Sequence, residues 1–219
     1  AVPGDDISAA ALPFGQWRRI GIAGAEVMAL RITYVGEPGW ELHMPVEAAG
    51  AVFDALHQAG AAHGLANAGY RAIETLRLEK GYRAWGADIG QDHTPDEAGM
   101  GWAVKLKSGV DFRGRGAVEA QRRDGVTKRL ATFTAAPDVI LSGRETIYRN
   151  GVRCGWLSSG GYGHTVGKAI GMGYVRDPDG VARDYVLGGS YELEVATRRV
   201  PAEVTLAPLY DPTGARVKG

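Results

Sequence analysis

After Gly125 the chain is cut into short apolar runs, separated by Pro-Asp, Ser-Gly, Asn-Gly and Gly-Gly pairs at nearly regular spacing and poor in helix formers. That texture excludes long helices and favours a small closed or sandwiched β domain. Arg149-Asn150-Gly151-Val152 is its strongest signal, because a two-residue hairpin turn needs positive φ at both central positions and Asn-Gly tolerates that best. Strands are expected near 128–134, 144–149, 152–158, 169–175 and 191–206.

The residues before Gly125 read differently. From Trp17 to Met44 alternating Ile, Val, Leu and Tyr, with turn residues at Gly21–Gly24 and Gly36–Gly39, predict two or three strands. Over 46–59 the period changes: Val46, Ala49, Val52, Phe53, Leu56 and Ala59 fall on one helical face, with Gly60 and Gly64 as stops. A second helix is expected over 68–80, capped by Asn67, ended by Gly81 and carrying Tyr70, Ile73, Leu76 and Leu78 as its apolar stripe. Residues 82–112 predict loop and short strand, and Arg115–Arg123 a short helix ended by Asp124-Gly125. The fold class is therefore α+β, with a boundary near Asp124 separating residues 1–124 from 125–219.

Charge removes several functions. Among 219 residues, 25 Lys and Arg balance 25 Asp and Glu, so no general attraction to phosphate backbones or anionic lipid is expected, and neither nucleic acid nor membrane is an expected partner. No apolar run approaches the roughly 18 residues of a membrane span, and the first residues have neither region of a signal peptide; the chain reads as soluble and intracellular. The single cysteine, Cys154, excludes an internal disulfide or a multi-cysteine metal site and reads as a packed thiol. Asp88, Asp92, Asp96 and Glu97 read as a solvated acidic loop. His93 among them lacks the second histidine that a metal site would favour. Ser158–His164 is glycine-rich without the lysine of a phosphate loop, and no dinucleotide-binding Gly-x-Gly-x-x-Gly occurs.

Four blocks in order carry a resemblance: Thr33-Tyr34-Val35-Gly36-Glu37-Pro38-Gly39-Trp40-Glu41-Leu42, the helix ending Leu76-Arg77-Leu78-Glu79-Lys80-Gly81, Trp85-Gly86-Ala87-Asp88-Ile89, and Thr94–Trp102. Together they resemble the folate-binding family of the glycine-cleavage T-protein (aminomethyltransferase). Arg77–Trp85, Val104–Ser108 and the end Tyr210–Gly219 resemble the carboxy-terminal part of sarcosine and dimethylglycine dehydrogenases. A T-protein-like domain is longer at its amino end, so the chain is expected to be a fragment. Residues 1–124 would then be the later part of the folate-binding region and 125–219 the terminal barrel, in which 158–164 resembles a turn.

The resemblance implies that tetrahydrofolate is bound and receives a one-carbon methylene unit from a methylated glycine. It gives Glu41 the role of folate ligand: a pterin presents an N–H beside an exocyclic amine, a donor pair that one carboxylate accepts, at roughly 1.5 to 3 kcal/mol per charge-assisted bond. Tyr34 matches a folate-side tyrosine of the dimethylglycine-oxidising relatives, and Trp102 a tryptophan near the folate in T-proteins. A folate-contacting arginine of T-proteins falls at Ile73. Arg71 or Arg83 is left to supply that charge, Arg71 about 200 degrees round the helix from Ile73. No residue matches the family's catalytic aspartate, so no catalytic residue is expected here. FAD, if used, belongs to an upstream domain. The same resemblance leaves two alternatives: a stand-alone aminomethyltransferase of the glycine cleavage system working with a lipoyl carrier protein, or a non-catalytic regulatory subunit of the kind that regulates a phosphatase. The implied compartment is the cytoplasm, or the mitochondrial matrix in a eukaryote.

Overall fold

A computed structural model describes residues 5–219. Two compact units divide the chain: the residues up to Ile73 together with Asp211–Gly219, and Glu74–Tyr210. Among the described residues no helix is long and apolar enough to cross a membrane.

The first unit contains an antiparallel sheet, β1 (Trp17–Ile22), β2 (Ala25–Leu30) and β3 (Glu41–His43), in that order. Ala23 and Gly24 make the β1–β2 turn with both φ positive, at 50° and 78°, the arrangement that matches strand twist. Alternation places Ile20, Ile22, Val27 and Ala29 on one face, and Val52 of helix α1 (Ala49–Gly60) packs on them. The apolar stripe read for this helix is rotated from the one it buries. Ala48, Val52, Ala55 and Leu56 face the sheet, whereas Val46 is 81% and Phe53 52% exposed. Three short strands cover one narrow face, and small residues sit closer to it than Phe53 can. Residues 46–48 form a separate 3₁₀ turn.

Helix α2 runs Tyr70–Glu79, shorter at its start than expected. Gly69 supplies the first carbonyl, to the amides of Ala72 and Ile73, while the Asn67 side chain lies 3.0 Å from His57 Nε2. Its buried residues are Arg77, Leu78 and Glu79, and Tyr70 is exposed. Of the expected apolar stripe Leu78 is buried and Ile73 and Leu76 are half-buried, Tyr70 is corrected to exposed, and polar partners bury Arg77 and Glu79 beside them. Helix α3 (Arg115–Asp124) stops at Gly125, φ 90°.

The second unit holds a closed six-stranded barrel ordered β4-β7-β6-β5-β8-β9. Its strands are β4 (Lys128–Ala135), β5 (Thr146–Arg149), β6 (Val152–Gly163), β7 (Lys168–Arg176), β8 (Tyr191–Val195) and β9 (Arg198–Thr205). Closure removes the free edges that would otherwise invite pairing with other chains. Ala131, Phe133, Ile147, Leu157, Val175 and Leu193 fill the interior. On the outer face, Leu130, Ile170, Met172 and Tyr174 cover Leu78 of α2, so β7 is buried on both faces.

Two features depart from the sequence reading. The run expected as one strand over 191–206 is a hairpin, turned by Ala196 and Thr197 with φ of 47° and 69°, a pair that carries no turn signature. The glycine-rich segment 158–163 is strand and not turn. Its glycines are explained by close approach: a Cβ on Gly160 would stand 2.6 Å from the Gly143 nitrogen, and one on Gly161 3.1 Å from Leu78. A Cβ on Gly155 would overlap the carbonyl oxygen of Tyr174.

At the Asn150-Gly151 turn the φ values are 51° and 79°, and the space around Gly151 is open. Gly151→Val should therefore cost only backbone strain, about 1 to 3 kcal/mol. Gly155→Val, which must push strand β7 aside, should cost more than Gly151→Val. Urea unfolding of the two variants beside the parent chain measures both, and an equal loss would contradict the close-approach explanation.

Candidate functional site

Glu41 opens β3, paired in register with Leu30, and its side chain is about half exposed (52%) with His43 Nε2 3.5 Å away. The pairing with β2 alternates the strand's faces, so Leu42 turns toward the core and the Glu41 and His43 side chains turn outward. Trp40 before it lies under the buried Arg31, whose guanidinium carbon is 4.9 Å from the ring centroid. That contact anchors the end of the 33–40 segment. Tyr34 sits in the same segment, 37% exposed, where the Val35 amide donates to Thr33 Oγ1 at 3.1 Å. Arg71 is exposed on the first turn of α2. These three residues belong to the first unit and Trp102 to the second, where a 3₁₀ turn over Gly101–Ala103 presents it 77% exposed.

Of the acidic segment, Asp92 is exposed as expected, but Asp88 and Glu97 are buried and Asp96 is paired. Asp88 has no exposed side-chain surface and takes the Arg77 guanidinium at 2.5 Å. Its oxygens also accept from Ser158 Oγ at 2.5 Å, Ser159 Oγ at 2.8 Å and the Ala84 amide at 3.0 Å. Arg77 pairs with Glu74 as well, and donates to Ser159 Oγ at 2.8 Å and the Tyr82 carbonyl at 3.1 Å. Glu97 is buried, accepts from the Thr94 amide at 2.9 Å and lies 3.6 Å from Lys128 Nζ. Asp96 pairs with Arg122 at 3.0 Å. Burial drives the correction: a carboxylate taken from water needs a cation and hydrogen bonds, and each has found them.

Glu79, two residues beyond Arg77, faces the barrel from the same helix end. Its Oε1 accepts the amides of Thr165 and Val166 at 2.7 and 2.9 Å, in the β6–β7 connection, and its carbonyl accepts those of Leu209 and Tyr210. The Leu-Arg-Leu-Glu block is thus a structural fastening to the barrel. Sequence reading missed this because the partners of Arg77 and Glu79, among them Ser159 and the Thr165 and Val166 amides, lie far along the chain, in and beside the segment read as a glycine-rich turn.

Arg83 donates Nε–H to the Ala98 carbonyl at 3.0 Å, and burial lowers its pKa. Cys154 is partly buried with its thiol pushed up to about 11, chiefly by burial, so it is protonated at neutral pH and inert as a nucleophile. His93 stacks on Tyr174 at 4.6 Å, and its Nδ1 is buried without a hydrogen-bond partner among the described residues. Burial first, and Lys128 second, push its pKa below the ordinary histidine value.

Residues 1–108 match the GCVT N-terminal domain, and residues 128–211 match the glycine cleavage T-protein C-terminal barrel domain. Sarcosine dehydrogenase, mitochondrial, of Mus musculus is 45% identical over 216 residues, 98% of this chain and 24% of that protein. Dimethylglycine dehydrogenase, mitochondrial, of Homo sapiens is 35% identical over 217 residues, again 98% of this chain and 24% of the relative. The chain therefore spans about a quarter of the length of these two relatives. Among solved structures, the glycine cleavage system aminomethyltransferase T from Bartonella henselae superposes with a TM-score of 0.80 at 25% identity, covering 93% of this chain and 54% of that one.

An α+β segment followed by this closed barrel is the architecture of an aminomethyltransferase-type protein. The chain belongs to the glycine-cleavage T-protein family, as an aminomethyltransferase-family domain related to sarcosine and dimethylglycine dehydrogenases.

Two measurements test the buried polar chemistry. Arg77→Met leaves Asp88 buried without its cation and should cost about 3 to 5 kcal/mol in urea unfolding. The double variant Arg77→Met/Asp88→Leu should lose clearly less than the sum of the two single losses, because the two groups share one network. Stability should also depend on His93. With its folded pKa below the unfolded value of about 6.5, its contribution is intact above that pH and is lost as pH falls from there toward the folded value. Thermal melts between pH 5 and 7.5 should show this loss, and His93→Phe should shrink it.

Proposed function

We infer that this chain is the tetrahydrofolate-binding, aminomethyltransferase-like portion of a sarcosine or dimethylglycine dehydrogenase-type enzyme, in which a one-carbon methylene unit passes from a methylated glycine to tetrahydrofolate. The observation that carries the reading is the Glu41 carboxylate. It is fixed by a strand pairing, half exposed, and among the described residues no lysine or arginine is paired with it. With His43 Nε2 3.5 Å away as its one charged neighbour among the described residues, the half-exposed carboxylate stays open to adjacent N–H donors, as a pterin edge requires. Tyr34 and Trp102, exposed aromatics on turns, supply flat surfaces for ring contact, and Arg71, exposed on α2, supplies positive charge for an acidic tail.

Tetrahydrofolate, when bound, supplies the nucleophilic nitrogen that takes up the one-carbon unit. Glu41 orients the pterin by accepting its donor pair, Tyr34 and Trp102 pack against rings and exclude water, and no catalytic group is assigned in this chain. A flavin, in this reading, sits in a domain upstream. The domain division that accompanies it places the folate-binding part in residues 1–124 and the barrel in 125–219.

Glu41→Gln keeps the shape of the side chain but turns one acceptor into an amine that opposes the pterin donors. In the full-length protein it should weaken binding of a reduced folate by about 2 to 4 kcal/mol, read by isothermal titration calorimetry. His43→Gln, on the same face, should change affinity far less. Unchanged affinity in Glu41→Gln would remove Glu41 from the site.

A further inference from the structure

A cleft lies on the barrel wall near the start of β6 and the end of β7. Gly155 and Trp156 of β6 pair with Val175 and Tyr174 of β7. On the other side of β6 the register slips: Ile147 faces Gly155 and Tyr148 faces Arg153, so Cys154 is an extra residue. A bulge of this kind re-aims the side chains beside it. The outcome is a cleft of ≈ 400 Å³ lined by Lys128, Arg153, Cys154, Trp156, Arg176 and Asp177 among others. That volume suits a small ligand.

Its charges are unevenly committed. Lys128 Nζ donates to the Asp92 carbonyl at 2.6 Å and lies near Glu97. Asp177 accepts from Tyr185 Oη at 2.5 Å and from the Asp179 amide at 2.9 Å, bonds that lower its pKa. The two arginines differ from these. Arg176 is held by ring faces, 4.4 Å from the Trp156 centroid and 5.9 Å from that of Tyr174, and its Nε is buried without a hydrogen-bond partner among the described residues. Elsewhere on the barrel the stacked arginines have polar partners as well: Arg199, on Tyr148, lies 3.8 Å from Glu192, and Arg149, on Tyr185, donates to the Tyr185 carbonyl. Stacking occupies the face of a guanidinium and leaves its N–H edges for an acceptor in the plane. Arg153 is exposed and has no ion pair among the described residues.

We propose that this cleft binds a small phosphate monoester, its phosphate held by Arg176 and Arg153 and its organic part laid against the open surface of Trp156, which is 46% exposed. One guanidinium fork saturates a carboxylate, whereas two guanidinium groups at one cleft match the three free oxygens of a phosphate. The site is independent of the folate reading, since every residue it uses lies between Lys128 and Asp177 of the barrel.

The test is calorimetric titration of the full chain at low salt, about 20 mM, with phenyl phosphate, inorganic phosphate and benzoate. Phenyl phosphate should bind one-to-one and tighter than inorganic phosphate, with benzoate weakest. Arg153→Gln and Arg176→Gln should each lower phenyl phosphate affinity roughly tenfold or more, Trp156→Leu should abolish the preference over inorganic phosphate, and Arg199→Gln should leave binding unchanged. Should Arg176→Gln lower the melting temperature, the exposed Arg153 carries the test by itself. No saturation by phenyl phosphate up to about 10 mM, unaltered affinity in Arg153→Gln, or benzoate binding as tight as phenyl phosphate would each overturn the proposal.

Discussion

The contact on which the second unit depends is the ion pair between Arg77 and Asp88, neither of which exposes any side-chain surface. Removing two charges from water costs several kcal/mol per ion, and their mutual attraction offsets that only with good geometry and with the remaining donors and acceptors satisfied. Here the satisfying groups come from three places in the chain: Ala84 beside the helix exit, Ser158 and Ser159 in the middle of β6, and Tyr82. The Asp88 carbonyl in turn accepts the Tyr174 hydroxyl of β7 at 3.0 Å. One buried pair thereby ties the end of α2, the following loop and two neighbouring barrel strands to a single arrangement, because any slip leaves a charge uncompensated.

That requirement explains the composition of β6 and β7. For two serine hydroxyls to reach Asp88 the strand must lie close to the helix end, and Gly161 is the position where Leu78 arrives. Gly171 and Gly173 of β7 play the same part inside the barrel, where the Leu157 side chain takes the space beside Gly171 and the Trp156 carbonyl and Ile147 that beside Gly173. A residue that looks like a flexible linker in sequence is here the consequence of tight packing against a fixed polar centre.

What sequence could reveal follows from the same physics. Period-2 alternation, the Asn150-Gly151 turn and the Gly125 helix stop depend on neighbours in the chain, and the strands, the hairpin and the α3 end they imply are present. The Ala196-Thr197 turn was illegible because its conformation is imposed by the register of β8 and β9 and not by its residues. The edges of the α1 and α2 stripes, Val46, Phe53 and Tyr70, are exposed for a related reason: which part of a stripe is buried is decided by the surface it meets. Asp88 and Glu97 read as solvated because their partners, Arg77 and Ser159 in one case and Lys128 in the other, are distant in sequence. Of the candidate site, the location of Glu41 at a strand start could be read locally from the turn before it, whereas Tyr34, read within a strand run, lies beyond the end of β2.

A distinction between recognition and chemistry follows. Leu76-Arg77-Leu78-Glu79 is among the blocks that mark the family in the sequence, yet each of its polar side chains is consumed by the fold: Arg77 by Asp88, Glu79 by two amides of the β6–β7 connection. Groups already bound at full burial have neither the access nor the free lone pairs and protons to hold a ligand. Glu41 shows the reverse condition, with a position set by backbone pairing and a carboxylate left open. Arg176 is intermediate, its orientation set by rings while its Nε has no hydrogen-bond partner among the described residues. Within one chain, then, a charged residue that marks the family is evidence for architecture when its partners are internal, and evidence for binding when the structure has fixed where it is without using its polar atoms.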